Sequence, residues 1–157
     1  MLEIKPIEYQ QIEEVKELIL MVCQEVFQVD RARILSHDDF ADIDNIQEHY
    51  LHNKGIFLVL LDRQKVVGSG AIRYLQDDIC ELKRMWILKA YRGQGWGKKI
   101  SEQLLDFAQE KGYKKIRLDL ADAEKQKQAI VFYKSLEFYS IPRYNSSPCQ
   151  VFMEKTI

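Results

Sequence analysis

From Tyr9 to Gln28 the apolar residues Ile12, Val15, Leu18, Ile19, Val22 and Val26 recur at three- and four-residue steps. That spacing predicts an amphipathic helix with one stripe turned to a core. Ahead of it, Leu2 to Lys5 reads as a short first strand stopped by Pro6. A polar segment, DRARILSHDDFADIDN from Asp30, leads into a helical piece reaching about Leu51, which Gly55 ends. Ile56 to Leu61 (IFLVLL) is a buried strand, and Asp62 to Lys65 turns it into a second strand, Val66 to Tyr74. After the turn at Gln76, Asp77 and Asp78, the run Ile79 to Leu88 is a third. A helix to about Lys111 follows, with Ile100, Leu104, Phe107 and Ala108 as its core stripe and Gly112 as its C-terminal cap.

The pattern then changes. Lys114 to Leu120 alternates Ile116, Leu118 and Leu120, and a helix over about Lys125 to Leu136 carries Ala129, Ile130, Tyr133 and Leu136 on one side. Short strands near Tyr139 and from Gln150 to Glu154 close the chain. Antiparallel hairpins that give way to strand–helix–strand predict a mixed α/β (α+β) fold on one sheet, in a single domain over residues 1–157.

Between the third strand and its helix lies YRGQGWGKK, with Gly93, Gly95 and Gly97 at alternate positions. Glycine inside a helix costs roughly 1 kcal/mol relative to alanine, so three together point to a backbone task. A strand running through such a turn into a helix aims free amides and the positive end of the helix dipole at one spot. That suits a phosphate or pyrophosphate, with Arg92 and Lys98 adding charge. A Walker loop needs Ser or Thr after Gly-Lys, and Lys99 stands there. A dinucleotide fold needs GxGxxG after an early strand, and this chain has GxGxG late. Both fail on spacing, although Asp119 at the end of a later strand fits the acidic residue of the second.

Composition narrows the class further. The chain has 157 residues, 46% apolar and 30% charged, with formal net charge −1. No basic field is present to hold nucleic acid or an anionic membrane surface. Cys23, Cys80 and Cys149 form no metal-ligand or disulfide pattern. The acidic start MLEIKPIEYQQIEE is unlike a signal peptide, and no run approaches the ~20 apolar residues of a membrane span. The expectation is a cytoplasmic monomer or homodimer without a metal.

Arg92-Gly93-Gln94-Gly95-Trp96-Gly97 resembles the R/Q-x-x-G-x-G/A acetyl-CoA signature of the GNAT superfamily of N-acetyltransferases. CELKRMWIL is similar to that family's fourth strand, and AIVFYKSLEF (Ala129 to Phe138) to its later helix. The resemblance covers nearly the whole chain. It implies a mostly antiparallel sheet whose fourth and fifth strands splay apart, flanked by helices. It places the pyrophosphate of acetyl-CoA, the co-substrate, on the amides around Gly93, Gln94, Gly95, Trp96, Gly97 and Lys98. It runs the pantetheine arm along Met85, Trp86 and Ile87, with a bulge amide near Met85 to Ile87 donating to the thioester oxygen.

The same resemblance implies transfer of the acetyl group to a primary amine of a small molecule or peptide, by direct attack in a ternary complex. Glu81 aligns with a position where some members keep a general base, though a strand glutamate paired with Lys83 or Arg84 fits equally. Tyr133 is placed to protonate the leaving thiolate, or else is a core tyrosine. Two positions depart from the family. Gln126 stands where Asn is usual before the later helix, and Glu137 where Gly usually ends it, so that helix end is expected to differ. Asp30, Asp38, Asp39, Asp42, Asp44 and Glu48 suggest an acidic cover favouring a cationic acceptor, whereas Arg143 and Tyr144 near the last strand favour an anionic group. Cys80 and Cys149 read as packing residues. The competing class is a non-catalytic GNAT-fold module that senses coenzyme A.

Overall fold

In the computed structural model, which describes residues 1–157, seven strands form one sheet in the order β1-β2-β3-β4-β5-β7-β6. The strands are β1 (Leu2–Pro6), β2 (Ile56–Asp62), β3 (Lys65–Gln76), β4 (Ile79–Ile87), β5 (Lys115–Leu120), β6 (Tyr139–Ser140) and β7 (Val151–Thr156). All neighbours are antiparallel except β4 and β5, which are parallel. The helices are α1 (Ile12–Phe27), α2 (Arg31–His37), α3 (Ala41–Asp44), α4 (Trp96–Glu110) and α5 (Lys127–Ser135). None is long and apolar enough to cross a membrane.

Two cores sandwich the sheet. On one face α1 buries Val15, Leu18, Ile19 and Val22 against Phe57, Val59 and Ala71. On the other, α4 buries Ile100, Leu104 and Ala108 against Leu58, Leu60, Ile72, Ile116 and Leu118. β2, an interior strand, is therefore apolar on both faces, which is why IFLVLL shows no alternation.

The segment expected as one helical piece to Leu51 is instead broken. Asp30 caps α2 by accepting from the Arg33 amide, and Asp39 accepts from the amide of Ala41 at the start of α3. Gln47–Leu51 then makes a π-helical turn. Aspartates at helix starts compete locally with a continuous helix. At the other end, Glu137 takes the left-handed conformation itself (φ +71), and the Phe138 amide still reaches the Tyr133 carbonyl at 3.0 Å. The expected change in that helix end is thus corrected: the turn is kept, at the cost of strain in a residue with a Cβ.

Candidate active site

Parallel pairing between β4 and β5 covers only Ile79, Cys80 and Glu81 against Lys115, Ile116 and Arg117. Beyond it the strands part, so the β5-facing edge of β4 from Leu82 to Ile87 is open. An unpaired edge inside a sheet is a template for an extended ligand.

The open edge begins at a bulge. Ser69 pairs with Trp86 and Ala71 with Lys83, so two steps of β3 oppose three of β4, and Arg84 sits at φ +55. The extra residue rephases the strand. Lys83 and Arg84 both face the α1 side, Met85 and Ile87 turn to the α4 core, and Trp86 returns to the α1 core, edge-on to Phe27 at 6.3 Å. The bulge therefore lies one residue before the expected Met85–Ile87 stretch. Strict alternation would have sent Arg84 into the α4 core, where its charge would have no partner.

On the α1 side Arg84 has partners. Its guanidinium donates to Asp38 (2.5 and 3.0 Å) and Asp42 (3.0 and 2.6 Å), while the Tyr50 hydroxyl donates to Asp42 at 2.5 Å. The Arg84 carbonyl accepts from the Ser69 hydroxyl at 2.6 Å, which pins the bulge from β3. Burial works to raise the pKa of Asp42, but the hydrogen bond and charge of Arg84 prevail and hold it at about 2. The five aspartates of the acidic cover are therefore spent internally, while Glu48 is exposed without an ion pair. Asp38 and Asp42 serve Arg84, Asp30 and Asp39 cap helices, and Asp44 pairs with Lys16.

At the C-terminal end of β4 the chain passes through Lys89–Tyr91 into the glycine turn. Gly93 (φ +74) and Gly95 (φ +87) hold left-handed conformations that L-residues enter only with strain. A Cβ on either would meet nothing within 4 Å, so no packing inside the protein excludes a side chain there. The first bond of α4 runs from the Lys99 amide to the Gly95 carbonyl, and no side chain caps the helix start. The amides before Lys99 thus point outward without a helical acceptor. Gln94 turns its side chain back to the Ala90 carbonyl, and Lys99 lies over the Trp96 ring at 4.4 Å. Lys98 is exposed. Gly97 lies against Ile87 and Phe132, so the turn, the end of β4 and α5 converge.

Arg92 is engaged from behind. Its Nε donates to the Ile87 carbonyl at 2.8 Å and its two amino groups to Glu25 of α1 at 2.9 and 2.7 Å. Gln126 is buried at the start of α5, and its side-chain oxygen accepts from the Asp122 amide.

At the deep end of the split, Glu81 is 5% exposed and accepts from the Tyr144 hydroxyl at 2.5 Å. Lys83 and Arg73 each stand 4.0 Å from it, while Arg84 is turned away to its aspartates. Across the split, Asp119 of β5 accepts from Asn145 (2.9 Å) and Ser147 (3.1 Å) of the same β6–β7 loop. Tyr133 is the buried residue of α5, edge-on to Phe132 and Phe138, and burial pushes its phenol pKa up. Burial also pushes the Cys80 thiol up to about 12, so it is not a thiolate at neutral pH. Arg143 is used by its own loop, donating to the carbonyls of Ser147 and Cys149 and lying over Phe152.

The chain thus combines a split sheet, a bulge on its fourth strand and a glycine turn opening the next helix, and the acetyltransferase (GNAT) family model matches residues 18–138. The chain belongs to the GNAT family. An uncharacterized N-acetyltransferase of Escherichia coli, YjgM, is 33% identical over 103 residues, covering 64% of this chain and 60% of that protein. N-acetylaspartate synthetase of Xenopus tropicalis is 32% identical over 114 residues, covering 66% of this chain and 42% of that one. The chain thus spans less than two thirds of these relatives. A GNAT-family acetyltransferase of Staphylococcus aureus superposes with TM-score 0.87 at 25% identity over 99% of both chains. The PaiA N-acetyltransferase of Thermoplasma acidophilum, solved with coenzyme A, superposes with TM-score 0.82 at 16% identity, covering 100% and 99%.

Sequence reasoning named Glu81, Tyr144 and the turn. It missed Arg84 with its aspartates, and it missed Arg73, Lys83 and Asp119 as walls of the split. Asp38 lies in the break after α2 and Asp42 in α3, so no helical spacing in the sequence marks them as a pair.

Proposed function

We propose that this GNAT-family chain is an acetyl-CoA-dependent N-acetyltransferase acting on a primary amine of a small molecule or peptide. One observation carries it: the glycine turn presents uncapped amides at the head of α4, beside the open edge of β4. The coenzyme A bound by the Thermoplasma relative supports the same ligand here.

In this reading the amides from Gly93 to Lys98 take the diphosphate, and the helix dipole and Lys98 add positive charge. Arg92 braces the turn by tying it to Ile87 and Glu25. The edge of β4 at Met85, Trp86 and Ile87 receives the pantetheine arm as an added strand, and Gln126 lies at the start of the facing helix. At the bulge a backbone amide meets the thioester oxygen as charge develops on it, an interaction that costs little reorganisation because Arg84 and Ser69 hold the bulge rigid.

An alkyl ammonium has a pKa near ~10.4, so an acceptor at neutral pH needs a base. Glu81 takes that proton, directly or through water. Tyr133, kept protonated by burial, returns one to the departing sulfur. A carboxylate at the base of the split favours an enzyme over a silent coenzyme sensor. Free-thiol release from acetyl-CoA across a panel of primary amines tests this. Amine-dependent release is expected, and coenzyme binding without release to any amine would contradict it.

A further inference from the structure

Around the split the acids are hydrogen-bonded, whereas Arg73 and Lys83 meet them only as ion pairs at 3.8–4.0 Å. Glu81 receives Tyr144, and Asp119 receives Asn145 and Ser147, all neutral donors from one loop. Glu154 is taken by Arg117 at 2.8 Å and by Tyr139 at 2.7 Å. By contrast, Arg73 Nε is buried with no hydrogen-bond partner, and its nearest approach to Glu81 is 4.0 Å. Lys83 Nζ stands 4.0 Å from Glu81 and 3.8 Å from Asp119, beyond hydrogen-bonding range. Both cations are about two-thirds buried, with side chains 32% and 28% exposed. Because Nε is enclosed while the side chain is about a third exposed, the terminal amino groups of Arg73 and the Lys83 ammonium are the donors a visiting acceptor group meets.

The aspartates of the early segment and the arginine of the last loop are already used. The aspartates of residues 30–44 cap helices or pair with Arg84 and Lys16, and Arg143 shapes its own loop. What the split offers to a ligand is a guanidinium and an ammonium flanking the buried Glu81.

Resting on the acetyl-transfer reading above, we infer that Arg73 and Lys83 form a carboxylate subsite, and that the acceptor is an amine carrying its own carboxylate, as in an amino acid. The two terminal amino groups of Arg73 donate to a carboxylate by parallel hydrogen bonds, and Lys83 adds a point charge nearer the bulge. The amine then lies toward Glu81 and the thioester. A polyamine would bring a second cation against these two and is disfavoured.

The test measures kcat/KM for glycine, β-alanine and 4-aminobutyrate, each beside its amide, with O-phosphoethanolamine beside ethanolamine. The three chain lengths act as a ruler between amine and carboxylate. For the best-fitting length the acid is expected to exceed its amide by tenfold or more, about 1.4 kcal/mol. Lys83→Met and Arg73→Met should each bring that ratio below about threefold, and Lys83→Glu should invert it, with acetyl-CoA affinity and thermal unfolding as controls on folding. Acid and amide used equally by the unmodified chain would overturn the subsite while leaving acetyl transfer intact. So would a preference confined to the phosphate pair. No thiol release above the amine-free rate with any of these amines would instead remove the acetyl-transfer reading, and the subsite with it.

Discussion

The hydroxyl of Tyr144 donates to the Glu81 carboxylate at 2.5 Å, which ties the loop between β6 and β7 to the deepest acid of the split. Neutral O–H donation lets a buried carboxylate stay in place without a hydrogen-bonded cation beside it. Tyr144→Phe removes that donor and leaves the oxygen short of a partner, a loss of about 1 kcal/mol in stability. Its kcat/KM for the amine should fall roughly tenfold, with acetyl-CoA affinity within twofold. Steady-state kinetics varying each substrate in turn checks this, and an unchanged amine kcat/KM would remove Tyr144 from the acceptor site.

Arg84 and its aspartates make the bulge pH-tolerant. Asp42 is held at about 2 against an ordinary 3.8, which amounts to about 2 kcal/mol favouring the folded state. A depressed carboxylate contributes fully above its unfolded pKa and loses its contribution as pH falls through the folded one. Asp42→Asn should therefore unfold at lower temperature than the unmodified chain by a constant margin from pH 5 to 8, and that margin should shrink between about pH 4 and 2. Thermal unfolding across pH measures it. A margin independent of pH down to 2 would mean the ion pair is not its source.

How much of this was legible in the sequence varied with the range of the cause. The glycine turn was readable because positive φ and missing side chains leave a local mark, and the helix stripes because α1 and α4 each pack one face. Arg84 was not. Its left-handed backbone is held by partners 42 and 46 residues away, and nothing near KRM announces a bulge at a non-glycine. The aspartates of residues 30–44 looked like an open acidic surface for the same reason: charge pattern does not show where the counter-charge will fold. Glu137 shows the reverse limit, since tertiary packing of Phe138 and Tyr133 imposes a glycine-like conformation on a residue with a Cβ.

Glu137→Gly should accordingly stabilise the chain. Left-handed backbone costs an L-residue about 1 kcal/mol, partly offset by the greater freedom of glycine in the unfolded chain. Glu137 itself is exposed and its contact with Lys155 at 3.4 Å contributes little. Denaturant unfolding is expected to show a gain of about 0.5 kcal/mol, and a loss of 1 kcal/mol or more would contradict the strain.

Tyr133→Phe keeps the ring contacts with Phe132 and Phe138 and removes only the hydroxyl. A thiol leaving group has a pKa near ~8.5, so its protonation is a modest part of the barrier. Turnover should drop about tenfold with acetyl-CoA affinity unchanged. A kcat equal to the unmodified chain would leave Tyr133 as core packing.

Calorimetric titration of coenzyme A into the chain and into Gly95→Asp tests the diphosphate turn most directly. Nothing lies within 4 Å of a Cβ at Gly95, so the variant should fold with only the roughly 1 kcal/mol that a left-handed backbone costs an L-residue, and with a carboxylate set against the incoming phosphates. The unmodified chain should bind one coenzyme A and the variant at least a hundredfold more weakly. Equal affinity in the two, or no binding by the folded unmodified chain at millimolar coenzyme, would contradict the assignment.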